Sequence, residues 1–260
     1  MQRFTDRRII VTGAGSGIGA ATVARLLEED GTVVAYDVSA DGLAATAAAA
    51  DDAGSGKRLT TAVLDVSSET AVTEAVDAAV AELGGLDVLV NAAAIQRCAH
   101  THEHTLADWN DTLAVNLTGT FLMVRQALPS LLESGRGVVV NFTSTAASFA
   151  HPYMAAYAAS KGGVLALTHA LALEYSKQGL RAVNIQPGGV ATALAMSTLD
   201  KMPAGYDLGL WSKQTPLLIR TDGNVLGEPS AVAAVIAMAA SDDGRFITGT
   251  EIRVDGGAHA

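Results

Sequence analysis

The chain has 260 residues, of which 49% are hydrophobic and 17% charged, so it can bury a large core and lacks the polar tracts of disorder. A formal charge of −10, with no basic cluster, opposes a phosphate backbone and excludes nucleic acid as an expected partner. Cys98 is the only cysteine, which excludes an intrachain disulfide framework; it reads as a small buried residue, and the cytoplasm is the expected compartment.

Short β-branched runs and Ala/Leu-rich stretches of helical spacing alternate along the chain. The opening residues 1–6 lack the pattern of a signal peptide. The first strand is expected over 8–11, followed by a helix over 20–29. A strand at 32–36 leads into an Ala-rich helix that includes 44–50, with Ser39 as its N-cap. Further strands are expected at 59–64, 86–90, 138–140 and 182–185, with helices at 71–83, 109–132 and 155–177 between them. Thr105 reads as an N-cap with Asp108 in a capping-box place. A helix begins near Pro229, and a last strand, 251–254, makes seven. The apolar run 231–240 is too short to cross a bilayer, so no membrane partner is expected.

Nearly all of these strands are apolar along their whole length, so both faces of the sheet must be covered, as when crossover helices join parallel strands. The expected fold is α/β: a doubly wound, seven-stranded parallel sheet with helices on both faces, in one domain spanning 1–260. The stretch from about 190 to 227, bounded by Pro187-Gly188-Gly189 and Gly227-Glu228-Pro229, has no sheet role and is far longer than an ordinary loop, so it reads as a substrate lid.

Chemistry-bearing residues cluster at strand ends. After the first strand comes Thr12-Gly13-Ala14-Gly15-Ser16-Gly17-Ile18-Gly19-Ala20, where glycines allow a sharp turn, close approach to a pyrophosphate and N–H groups aimed at it from a helix start. The second strand ends at Tyr36-Asp37, about twenty residues on, where a carboxylate can accept hydrogen bonds from adenosine ribose hydroxyls and repel a 2′-phosphate. No cation at Ser16 or Val38 would hold that phosphate, so NAD is the expected cofactor. The competing assignment, Asp37 as a helix cap, is weaker because Ser39 is better placed. Tyr157 and Lys161, four positions apart, share a helix face. A fixed ammonium there would bring the phenol's ionisation closer to neutrality. Ser144, thirteen positions before Tyr157, lies at a strand end where its hydroxyl can bond a substrate oxygen.

The glycine loop fits the general pattern Gly15-x-Gly17-x-x-Ala20 and also Thr12-Gly13-x-x-x-Gly17-x-Gly19. The second form resembles the short-chain dehydrogenase/reductase family, and the resemblance, to its branch of single-domain enzymes, runs along essentially the whole chain. It implies a cofactor cradle at Gly13, Ser16, Gly17, Ile18 and Gly19, with Asp65 and Val66 holding adenine. Asn91, in Leu89-Val90-Asn91-Ala92-Ala93-Ala94, matches the family's strand-four motif, from which Ala94 departs. Asn116, Ser144, Tyr157 and Lys161 match its catalytic tetrad: Asn116 joins the lysine to solvent through a water, and Lys161 holds the nicotinamide ribose. Pro187, Gly188, Val190 and Thr192 match the turn under the nicotinamide, and 246–249 with 254–257 match the C-terminal signature.

By this resemblance the protein moves a hydride between NAD and a small secondary alcohol or ketone without a metal, and assembles as a homotetramer through the faces of the 109–132 and 155–177 helices. Two other readings stand beside it: an NADPH-dependent 3-oxoacyl thioester reductase, which Asp37 opposes, and a non-catalytic, cofactor-sensing relative, which the full tetrad opposes. His100, His102 and His104 are read as loop residues rather than metal ligands. His151 and Tyr153 are expected in the substrate pocket, and Met196, Met202, Tyr206, Trp211 and Leu217 in its apolar cover.

Overall fold

A computed structural model describes residues 2–218 and 223–260. In chain order the main elements are β1 (Arg8–Thr12), α1 (Gly17–Glu28), β2 (Thr32–Asp37), α2 (Ala40–Asp52), β3 (Leu59–Val63), α3 (Glu69–Leu83), β4 (Val88–Asn91), α4 (Leu106–Leu113), α5 (Gly119–Glu133), β5 (Val138–Phe142), α6 (Ala155–Glu174), β6 (Arg181–Pro187), α7 (Ala193–Met196), α8 (Leu208–Trp211), α9 (Pro229–Ala240) and β7 (Glu251–Val254). The described residues form a seven-stranded sheet in the order β3-β2-β1-β4-β5-β6-β7, with every neighbouring pair parallel. The chain runs outward from β1 to β3 and then returns to the other side at β4. This reversal opens a crevice beyond the C-terminal ends of β1 and β4, where open α/β sheets bind ligands.

The period of two along each strand divides the apolar residues between two cores. Ile9, Val11, Val33, Val90, Val140 and Ile185 face α1 and α9, while Ile10, Val34, Leu89 and Val139 face α3 and α5. Each such side chain, once buried, stabilises the fold by about 1.5–3 kcal/mol, which is why the expectation of uninterrupted apolar strands and helices on both faces holds. The edge strands differ: β3 and β7 are only partly buried.

At the N-terminal end of the sheet, Asp87 is fully buried and accepts from Arg8 Nε at 2.9 Å and Arg136 Nε at 2.9 Å. These hydrogen bonds overcome the cost of burying the carboxylate and pull its pKa down to about 2.

Local signals account for most helix starts. The Ser39 hydroxyl caps α2 by accepting from the Gly42 N–H at 3.1 Å, and the Thr105 hydroxyl caps α4 by accepting from the Asp108 N–H at 3.0 Å. The expected unbroken helix over 109–132 is corrected: α4 ends at Leu113, a π-helical turn fills Ala114–Thr118, and α5 begins at Gly119. The extra residue that a wider turn accommodates shifts the inward face by one position, and Asn116 becomes wholly buried. The helix expected to reach 177 stops at Glu174, followed by a short 3-10 turn. Within the expected lid, α7 and α8 are short and Val190 pairs with Gly227 through an isolated bridge; its positions 219–222 lie outside the described residues.

Candidate active site

The glycine loop joins β1 to α1. Gly13 has φ +67°, and a Cβ at Gly19 would lie 1.9 Å from the Gly13 carbonyl oxygen, so only glycine lets the loop and the first turn of α1 close this tightly. The resulting cradle presents backbone N–H groups at a helix start, which suits a pyrophosphate. Beside it, the Asp37 carboxylate accepts from the Gly15 N–H at 2.9 Å and the Ser39 N–H at 2.8 Å. A carboxylate has about four acceptor sites, so these two bonds orient Asp37 and leave capacity for two ribose hydroxyls. These residues therefore fit a dinucleotide.

The candidate reacting groups lie just after β5 and in α6. Ser144 follows the end of β5 and accepts from the Ala146 N–H at 3.2 Å. Tyr157 lies in the first turns of α6 and lines the same cavity as Ser144. One turn further along, Lys161 is almost wholly buried, donates from Nζ to the Phe142 carbonyl at 2.9 Å and sits 5.8 Å from the centre of the Tyr157 ring. Burial brings the Lys161 ammonium down to about 8. From the spacing alone that ammonium would acidify the phenol; in the chain by itself burial is the larger influence and raises the Tyr157 pKa, with the polar Ser144 side chain opposing it.

Asn116 acts from beneath. Its Oδ1 accepts from the Ile95 N–H at 2.8 Å, and its Nδ2 donates to the Ile95 carbonyl at 2.9 Å and to Ser160 Oγ at 3.0 Å. Ser160 in turn donates to the Tyr157 carbonyl at 2.7 Å. The amide thus ties the backbone after β4 to α6, and its polar atoms are committed to those bonds.

A cavity of about 790 Å³ runs past these groups. Gly13, Ser16, Gly17, Ile18, Gly19 and Asp37 line it at one end, and Asp65 and Val66 lie alongside. Ser144, Tyr157 and Lys161, with Pro187, Gly188, Val190 and Thr192, also line it. Asn91 and Asn116 do not: the Asn91 side chain donates to Asn141 Oδ1 at 2.8 Å across the sheet. His151 reaches the cavity, but Tyr153 instead accepts from the Asp207 N–H at 2.8 Å and so braces the segment after β6. Of the expected apolar cover, Met196 and Trp211 line the cavity, whereas Met202, Tyr206 and Leu217 do not. Gln96, Met154 and Gln214 line it without having been singled out, since no short-range pattern marks a residue that arrives by tertiary packing.

His100 Nε2 sits 3.1 Å from the Ala204 carbonyl oxygen. Among the described residues no group of three His, Cys, Asp or Glu side chains converges in a metal-ligating arrangement, and no helix is long and apolar enough to cross a membrane.

Fold and site together define a Rossmann-like nucleotide-binding protein with a Ser–Tyr–Lys cluster at the mouth of its switch-point crevice. Residues 7–203 match the family model described as short chain dehydrogenase. The chain is 38% identical to D-threitol dehydrogenase of Mycolicibacterium smegmatis, over 98% of this chain and 94% of that one. It is 34% identical to levodione reductase of Leifsonia aquatica, over 99% and 96%. A crystal structure of a short chain dehydrogenase from Mycobacterium paratuberculosis bound to NAD superposes with a TM-score of 0.89 at 28% identity, covering 98% of both chains. The chain belongs to the short-chain dehydrogenase family and is an oxidoreductase of that family, which uses a nicotinamide cofactor.

Proposed function

We propose that this protein is an NAD-dependent dehydrogenase/reductase of small secondary alcohols and ketones, with Tyr157 as its acid–base group. The observation that carries the reading is the convergence of Ser144, Tyr157 and Lys161 on one cavity wall, in the same cleft as the glycine cradle and Asp37. A bound nicotinamide supplies the acceptor or donor of a hydride at its ring carbon 4. The Ser144 hydroxyl holds the substrate oxygen beside the Tyr157 phenol. In oxidation the Tyr157 phenolate takes the hydroxyl proton as the carbinol C–H bond breaks; in reduction the phenol returns that proton to the carbonyl oxygen. Lys161 holds the nicotinamide ribose, and Asn116 fixes the strand-end backbone and α6 that position both.

Asp37 favours NAD over NADP, because its two remaining acceptor sites match ribose hydroxyls while its charge repels a phosphate. Gly13, Ser16, Gly17, Ile18 and Gly19 hold the pyrophosphate, Asp65 and Val66 hold the adenine, Asn91 braces the end of β4 behind the cleft through Asn141, and Pro187, Gly188, Val190 and Thr192 lie under the carboxamide. A small alcohol or ketone substrate accords with the names of the relatives, D-threitol dehydrogenase and levodione reductase. The chain acts as one domain in the cytoplasm and assembles as a homotetramer; Phe121 of α5 and Leu173 of α6 are exposed apolar side chains on the helices expected at the interface.

Tyr157→Phe tests the reading. Loss of the general acid–base group lowers turnover by about 10²–10⁴-fold with NAD binding retained, measured by the absorbance of reduced nicotinamide and by calorimetry. Full turnover in the Phe variant overturns it.

A further inference from the structure

Most polar side chains of the cavity wall are already committed. Thr192 Oγ1 accepts from the Ala195 N–H at 3.1 Å. The Gln96 amide donates to Met154 Sδ at 3.3 Å and accepts from Thr198 Oγ1 at 3.4 Å. Two enclosed nitrogens are not: Nε2 of His151 and Nε2 of Gln214 have no hydrogen-bond partner among the described residues, and both residues line the same cavity. Folded proteins seldom leave such atoms unpaired, and a pair of them in a ligand cavity is most simply explained by a ligand atom.

The C-terminal tail holds both in place. His151, in the loop between β5 and α6, stacks on His259 at 5.6 Å between ring centres. His259 stacks in turn on Phe149 at 4.3 Å and lies 3.1 Å from Asp255 Oδ2. Gln214 lies just before the lid residues Leu217 and Leu218, whose N–H groups both donate to the Gly256 carbonyl at 3.0 Å. One short tail therefore braces the His151 loop and the Gln214 segment, which suits a rigid recognition point.

The character of the two groups narrows the ligand. Burial, reinforced by His259, takes the His151 imidazole down to about 4, so it is neutral at working pH and offers one donor and one acceptor. Gln214 is neutral as well. Lys161 is the only Lys or Arg among the described cavity residues, so no described cation beside His151 or Gln214 would balance a carboxylate or phosphate bound there.

We infer that the substrate carries a second, uncharged oxygen, a hydroxyl or carbonyl on the same carbon skeleton, which hydrogen-bonds to Gln214 and His151 while the reacting oxygen lies at Tyr157 and Ser144. The inference rests on the alcohol/ketone reading above and deepens it: the substrates are diols, hydroxyketones or diketones rather than simple alcohols.

The test compares cyclohexanol with the cyclohexanediol regioisomers in the presence of NAD. Turnover is followed as kcat/KM, and binding as quenching of Trp211, which lines the cavity, in a Trp109→Phe background. At least one diol exceeds cyclohexanol by ~10-fold or more, the order expected for each hydrogen bond gained. In Gln214→Leu and His151→Phe the diol-to-cyclohexanol ratio falls toward one; taking a ratio cancels any general loss from imperfect folding. Equal kcat/KM and equal binding for cyclohexanol and every diol in the native enzyme overturn the inference, as does an unchanged ratio in both variants. Preferential diol binding with no reduced nicotinamide formed supports the recognition point and overturns the dehydrogenase reading instead.

Discussion

In the proposed reading, a single charge at Asp37 sets the cofactor preference. Its carboxylate is held by the Gly15 and Ser39 N–H groups at 2.9 and 2.8 Å, so it cannot swing away from an adenosine ribose without breaking both bonds. A 2′-phosphate placed there would lie roughly 5 Å away, where two unit charges at an effective dielectric of ~20 repel by about 3 kcal/mol. Screening at this half-buried site leaves about 2 kcal/mol, a discrimination of roughly 30-fold. Asp37→Asn keeps an acceptor for one backbone N–H and removes the charge. The expected outcome is a native enzyme that prefers NAD over NADP by at least ~30-fold in kcat/KM, and a variant whose preference falls to within about threefold of unity, mainly through KM. Steady-state kinetics with both cofactors on one alcohol measure it. Equal use of NAD and NADP by the native protein, or an equal loss with both cofactors in the variant, would refute the reasoning and leave Asp37 as a brace for Gly15.

Other outcomes follow from the same geometry. Gly19→Ala forces a Cβ to within 1.9 Å of the Gly13 oxygen, so the loop must open; NAD affinity falls by more than ~10-fold and stability by about 1–3 kcal/mol, read by calorimetry and thermal melting. Because burial raises the Tyr157 pKa above its ordinary value, the phenol stays protonated at neutral pH; kcat/KM for alcohol oxidation therefore climbs with pH into the alkaline range, and a flat profile from about pH 6 to 10 would contradict this assignment. Asp87, depressed to about 2 from 3.8, contributes about 2 kcal/mol that is present above pH ~4 and lost as pH falls toward 2. In urea unfolding, Asp87→Asn is accordingly destabilised at neutral pH, and the gap to the native protein narrows in acid. Light scattering on the purified protein gives a tetramer mass; a monomer would remove the proposed α5 and α6 interface.

How much was legible beforehand follows from the range of the forces involved. Strand positions were readable because strands buried on both faces must be apolar throughout, as in Ile9-Ile10-Val11 and Val138-Val139-Val140. The glycine loop and the Tyr157–Lys161 spacing were readable because each is a local pattern within a few residues. The π-helical turn at Ala114–Thr118 was not, since the sequence around Asn116 keeps helical composition and the wider turn is favoured by contacts to Ile95 and Ser160, far along the chain. For the same reason the cavity lining supplied by 190–227 was only partly legible: apolar character marked Met196 and Trp211 as candidates but gave Met202 and Tyr206 equal weight.

By itself, then, the sequence determined the order of strands and helices, the turn chemistry of the glycine loop, the acid that ends β2 and the Tyr157–Lys161 spacing on which the proposed proton transfer rests, because these depend on neighbours in the chain. Tertiary structure alone decided the ionisation of Tyr157, which burial raises, and the commitment of Asn116 to Ile95 and Ser160. It also decided the placement of His151 and Gln214 on the lining of one cavity. Each of these depends on which groups share a low-dielectric space, and that is set only when distant segments pack together.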